Sequence, residues 1–155
     1  ETACSPCGVG KKIFSATLFD NVHFKKGKKY EDVYLIGDML NICHNIVTTQ
    51  WGMYIYHWND TGIVAQNNMH LLLEAQIKVV KLLNIDTTHP KWHRLYMNMF
   101  TTQLHAYCNN NQILLQNNKL KIKQFTTKNE RIKAALLNIL GVKVACVLFK
   151  LLRQL

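Results

Sequence analysis

The side chains able to do chemistry in this sequence are seven histidines and five cysteines, and their spacing decides what they are for. The histidines stand at His23, His44, His57, His70, His89, His93 and His105. None forms an HExxH run or a ligand cluster with carboxylates, the arrangements that hold zinc and activate a water on it. His89 and His93 are four apart and one helix face can carry both, but Pro90 lies between them and no carboxylate follows. They read as ordinary surface or core histidines. The cysteines are Cys4, Cys7, Cys43, Cys108 and Cys146, an odd number that leaves at least one free thiol if the rest are bridged. Cys4-Ser5-Pro6-Cys7 is a CxxC pair without the strand and helix of a redox motif or the second ligand pair of a zinc site, so a tail disulfide or plain thiols is favoured over metal or redox chemistry. Gly8-Val9-Gly10-Lys11-Lys12 lacks the leading glycine and the Ser/Thr of a phosphate loop. Asn59-Asp60-Thr61 is a glycosylation sequon, relevant only to a secreted chain. These groups point away from an enzyme and call for no metal or cofactor.

Composition narrows the alternatives. The chain has 155 residues, 48% hydrophobic, with 19 Lys+Arg against 9 Asp+Glu and a formal charge of +10. One domain's worth of sequence with 7 Gly and 2 Pro is neither disordered nor collagen-like. The expectation is a single helical-bundle domain over residues 1–155 with a short Cys-containing tail, about residues 1–10. The positive charge draws the molecule towards polyanions. Lys11, Lys12, Lys25, Lys26, Lys28 and Lys29 gather near the start and a second basic group runs from Lys119 to Arg153, whereas no Lys or Arg lies between Tyr30 and Ile77. No charged segment followed by an apolar one opens the sequence, and Glu1 suits a processed start of a secreted protein. Met39 to Asn59 is uncharged and long enough to be tested as a membrane span, but Asn41, His44, Asn45, Thr48, Thr49, Gln50, His57 and Asn59 are too polar for hydrocarbon.

The elements that must position these residues are helices. Leu40, His44, Val47, Trp51, Tyr54, Ile55 and Trp58 share one face at steps of three and four, which predicts a long central helix from Glu31 to about Asn59, started by Asp32. A second is expected over Asn68 to Leu83 with Asn84 as its C-terminal cap, and a third from Thr88 and Pro90 to about Tyr107, with Trp92, Leu95, Tyr96, Met99, Phe100, Leu104 and Tyr107 inward. Gln112 to Phe125 reads as a strand-like excursion or a broken helix, and Lys11 to Phe24 offers one more short helix. The last helix, from Thr127 or Asn129 to Gln154, is apolar in nearly every direction. Such a helix is buried in a core or meets something apolar outside the protein. Lys133, Lys143 and Lys150 interrupt it too often for a bilayer span. The fold class expected is all-α, an up-and-down bundle of four to five helices.

Trp51, Tyr54 and Trp58 form an aromatic stripe best read as core, because a stacking platform for single-stranded nucleic acid interleaves aromatics with Lys and Arg and this segment has none. Nucleic acid is not an expected partner: a recognition helix would be dense in Arg, and only Arg94 and Arg131 precede Arg153.

At this stripe the sequence resembles a known family. Thr49-Gln50-Trp51-Gly52-Met53-Tyr54, with Trp58 a turn later, is similar to the Thr-x-Trp-x-x-Tyr pattern and following Trp on the long second helix of the abalone sperm lysin family, the second Trp being one residue further on here. The low Arg content and the apolar C-terminal segment bring it nearer to the 18 kDa sperm fertilization proteins, acrosomal paralogues of lysin. The resemblance implies a lysin-like helical bundle, secreted from the acrosomal vesicle of sperm, that fuses membranes between sperm and egg. It carries no catalytic residues across.

Two mechanisms are expected from charge and apolarity together. As a fusogen the chain approaches an anionic membrane surface through Lys143, Lys150 and Arg153 and inserts Val147, Phe149 and Leu152. As a lysin-like protein it binds and dissolves the egg vitelline envelope without enzymatic chemistry, through an egg-coat glycoprotein.

Overall fold

The computed structural model describes residues 12–47 and 68–153. Among them the chain is all-helical, with four α-helices and no strand, as the periodicity implies. It divides into two compact units, Glu1–Asn84 and Ile85–Leu155. The aromatic stripe of Trp51, Tyr54 and Trp58, the tail with Cys4 and Cys7, and the Asn59 sequon lie outside the described residues.

The first unit pairs α1 (Glu31–Ile42) with α2 (Met69–Leu82). Gly27, at φ 74°, turns the chain ahead of α1, and Lys25 forms an ion pair of 3.3 Å with Asp38. Glu31 and Asp32 put negative charge in the first turn of α1, where the helix dipole favours it. Val22, Leu35 and Met39 make a small core against Phe14, Leu18 and Phe19, the last two lying in a 3-10 turn (Ala16–Asp20) where the sequence predicts a short helix. The helices meet closely at Gly37, where a Cβ would stand 2.6 Å from Val79 Cγ2. Asn84 takes the left-handed conformation expected of a residue that stops a helix.

One expectation is corrected here. α1 does not run on towards Asn59: it stops at Ile42, Cys43 is extended, and Val47 is 90% exposed. The sequence after Ile42 is rich in poor helix formers, and periodic spacing stabilises a helix only where the apolar face finds something to pack on. Among the described residues the long helix is the C-terminal one.

In the second unit, α3 (His93–Asn110) and α4 (Lys128–Arg153) pack together. His89, rather than Thr88, caps the 3-10 turn (Pro90–Trp92) that leads into α3, its Nδ1 accepting from the Lys91 N–H. α4 opens on a capping box in which the Glu130 N–H donates to Thr127 Oγ1 and the Thr127 N–H donates back to Glu130 Oε2. The segment between the helices, 111–127, is a mostly extended strap with one 3-10 turn (Ile122–Gln124) and no strand partner among the described residues.

Side chains stand in for that missing partner. Gln103, fully buried on α3, donates through Nε2 to the Gln112 carbonyl, and its Oε1 accepts from the N–H groups of Leu114 and Leu115. The Tyr96 hydroxyl donates to the Gln116 carbonyl, and buried His93 accepts from the Lys121 N–H while its Nε2 bonds the Thr88 carbonyl. From α4, Asn138 bonds both backbone groups of Leu120 at 2.8 Å. Buried backbone amides must find partners, and an extended chain without a sheet has only side chains to offer them. The strap runs opposite to both helices: it passes Gln103 and then His93 on α3, and Val142 and then Asn138 on α4. α3 and α4 therefore point the same way along it, which differs from a simple up-and-down connection.

Candidate functional site

The apolar surface that stays uncovered is concentrated on α4. Gly141 breaks this helix with φ 70° and ψ 173°, leaving a first half to Leu140 and a second from Val142. On each half one face is buried, Ala134 and Leu137 on the first, Val142, Ala145 and Cys146 on the second. Another face of each is open. Ile132, Leu136 and Ile139 form an exposed row at steps of four and three on the first half, with Ile139 79% exposed. Val144, Val147, Leu148, Leu151 and Leu152 form a longer one at i, i+3, i+4, i+7 and i+8 on the second, with Leu152 72% exposed.

Burial separates the two ways in which an all-round apolar helix is used. α4 is the one described helix long and apolar enough to cross a membrane by length and composition, yet only 22% of its most apolar stretch is buried. A central core helix is mostly covered. α3 and the strap cover one side of a helix that is apolar all round, and the rows on its other sides stay exposed among the described residues.

The expected contact residues fall into three groups. Val147 and Leu152 lie in the exposed row, and Lys143 stands exposed beside it, one turn before Val147. At 100° per residue Lys150 falls on the same flank as Lys143. Its ammonium also donates to Asn111 Oδ1 at 2.7 Å, where Asn111 closes α3 in the left-handed conformation. A cation at that end suits the helix dipole, so Lys150 has a structural partner as well as a partly buried position beside the row. Phe149 and Arg153 lie elsewhere. The Phe149 ring is turned onto α3, edge to face with His105 at 5.3 Å, and Arg153 lies on that side too, close enough to act on the same imidazole. Spacing alone misses Val144, Leu148, Leu151 and the row on the first half. The i, i+3, i+4, i+7 signal is present, but a helix apolar in every direction does not announce which row its partner leaves open.

Electrostatics around α4 oppose titration rather than use it. Burial pushes the Cys146 thiol up to about 11, with Cys108 adding to the effect, so it is inert as a nucleophile at neutral pH. Burial likewise raises the Tyr96 hydroxyl. His105 is held below its ordinary value by burial first, then by the positive charges of Arg153 and Lys133. The native state keeps it neutral, so stability is full above the unfolded value near 6.5 and declines as the pH falls below it. Urea unfolding at pH 7 and pH 5 checks this: the loss of stability on acidification is expected to shrink in His105→Phe, whose ring preserves the contact with Phe149. No group of three or more His, Cys, Asp or Glu with metal-holding geometry occurs among the described residues. No family model, curated protein or solved structure matches this chain.

Proposed function

We propose that this chain is a secreted, cationic membrane-surface protein that draws bilayers together, acting without catalysis as an acrosomal sperm fusogen on the egg plasma membrane. The observation that carries the reading is the open row Val144, Val147, Leu148, Leu151 and Leu152 with Lys143 and Lys150 along its flank. Apolar rows of this length are seldom left exposed on a soluble monomer unless something binds them. A bilayer interface fits both parts of the surface: lysines sit among anionic headgroups while leucines reach the acyl boundary. Half-covered side chains of this size contribute about 1 kcal/mol each on burial, and each lysine near an anionic surface about 1 kcal/mol more. Together they suffice for reversible membrane binding. Lys143 in mid-helix disfavours a span, at about 3 kcal/mol for a charge at the bilayer centre, so α4 lies in the interface. The resemblance to the lysin family supplies the biological setting.

Lipid mixing between phosphatidylserine-containing vesicles at micromolar protein tests the reading. Wild type is expected to bind and mix them, and Lys143→Ser with Lys150→Ser to bind about 30-fold more weakly at low salt, as two headgroup contacts at about 1 kcal/mol each require. Absence of binding to anionic vesicles would overturn it. Dissolution of isolated egg coats by the same protein would instead favour the lysin-like mechanism.

A further inference from the structure

The break in α4 has its own supports. At Gly141 the Val142 N–H, which would bond the Asn138 carbonyl in a continuous helix, donates to Asn117 Oδ1 of the strap at 2.8 Å. Asn138, one turn before the break, holds the strap's Leu120 through both of its backbone groups. A Cβ at Gly141 would stand 3.0 Å from Asn117 Oδ1, in a backbone conformation that L-residues avoid, so the strap and the glycine together define the kink. Leu137, Asn138, Ile139, Leu140 and Gly141 line an open groove of about 460 Å³ there with Asn117, Asn118 and Lys119. A break of this kind frees carbonyls that a continuous helix would pair, and the residues around this one border the groove.

That arrangement depends on water. At the acyl boundary water is scarcer than in solution, and a continuous helix satisfies the backbone groups at the break without it. Glycine accepts the right-handed helical conformation as readily as the left-handed one, so one residue suffices for the change. Resting on the proposed membrane reading, we infer that the strap is a latch: Asn117 and Asn138 keep α4 broken at Gly141 in water, and contact with an apolar medium releases the strap and joins α4 into one continuous amphipathic helix. Release also uncovers the α4 surface beneath the strap and adds it to the apolar area that meets lipid.

Spin labels at Ile132→Cys and Leu152→Cys, in a background with the five native cysteines replaced, measure the change directly. The two positions are twenty residues apart, so a straight helix places their backbones about 30 Å apart and a broken one places them closer. Wild type is expected to show the shorter distance in buffer and to move to about 30 Å in zwitterionic detergent micelles and on phosphatidylserine vesicles. Asn117→Ala and Gly141→Ala are each expected to shift part of the population to the longer distance in buffer, with the helical circular dichroism signal retained as a check on folding. An unchanged distance in micelles, or on vesicles that the protein demonstrably binds, overturns the latch and leaves the membrane reading standing. Lengthening in micelles without any binding to anionic vesicles supports the latch and removes the proposed function.

Discussion

Leu148→Asp combined with Leu152→Asp is expected to abolish binding to anionic vesicles while the helical signal and the thermal transition stay close to wild type. Both side chains belong to the open row on the second half of α4, so an aspartate at either place meets water in the folded protein and no cavity is made. The change therefore acts on the partner and not on the core. Each leucine is already partly covered in the folded protein and contributes about 1 kcal/mol on entering the acyl boundary, so losing both corresponds to a fall in affinity of about 30-fold. Two carboxylates facing anionic headgroups add repulsion. Cosedimentation with phosphatidylserine vesicles reads the effect. Collapse of the helical signal would instead place these leucines in the core and move the binding surface elsewhere. Phe149→Asp makes the contrast, because its ring packs on His105 and its removal is expected to destabilise the α3–α4 contact.

The second large effect belongs to Gln103. Gln103→Leu keeps the volume but removes the amide that satisfies the Gln112 carbonyl and the N–H groups of Leu114 and Leu115. A buried backbone group left without a partner costs about 1–3 kcal/mol, so the three together are expected to cost about 3–5 kcal/mol once the strap has relaxed towards water. Domains are stable by about 5–15 kcal/mol, so this is a large share. The midpoint of urea unfolding is expected to fall accordingly, and amide exchange in residues 112–115 to quicken. Asn98→Ala, an exposed change on the same helix, is expected to alter stability by less than about 0.5 kcal/mol. A similar midpoint for the two variants would mean that the strap does not depend on Gln103.

What the sequence reveals and what it conceals follow from the same physics. Helix ends carry local signals, and these are legible: the Thr127 start of the last helix, the Asn84 stop, and the third helix beginning near Pro90. Glutamine at position 103 carries no such signal. Its amide serves a segment that follows the helix, and nothing in the spacing of either part records the pairing. The strap itself is ambiguous in sequence because it has neither helical nor alternating periodicity, being held by side chains in place of a ladder. Gly141 within a long apolar run is compatible with a continuous helix, and only its contact with Asn117 shows the break. Spacing overstates the reach of α1 for a related reason, since regular apolar positions describe a face without showing that another element covers it. For α4 the apolarity and the nearby lysines are plain in the sequence. The open row had to be separated from the one α3 covers, and that reassigns Phe149 and adds Val144, Leu148 and Leu151.

The central claim is that the open row of α4 is the part of the molecule that enters a membrane. An environment-sensitive fluorophore attached at Leu151→Cys, in the row, and separately at Asn98→Cys, exposed on α3, tests it most directly. On addition of phosphatidylserine-containing vesicles the emission from position 151 is expected to shift to the blue and gain intensity, while that from position 98 stays at its aqueous value. No shift at position 151 on vesicles that bind the protein, or equal shifts at both positions, would contradict it.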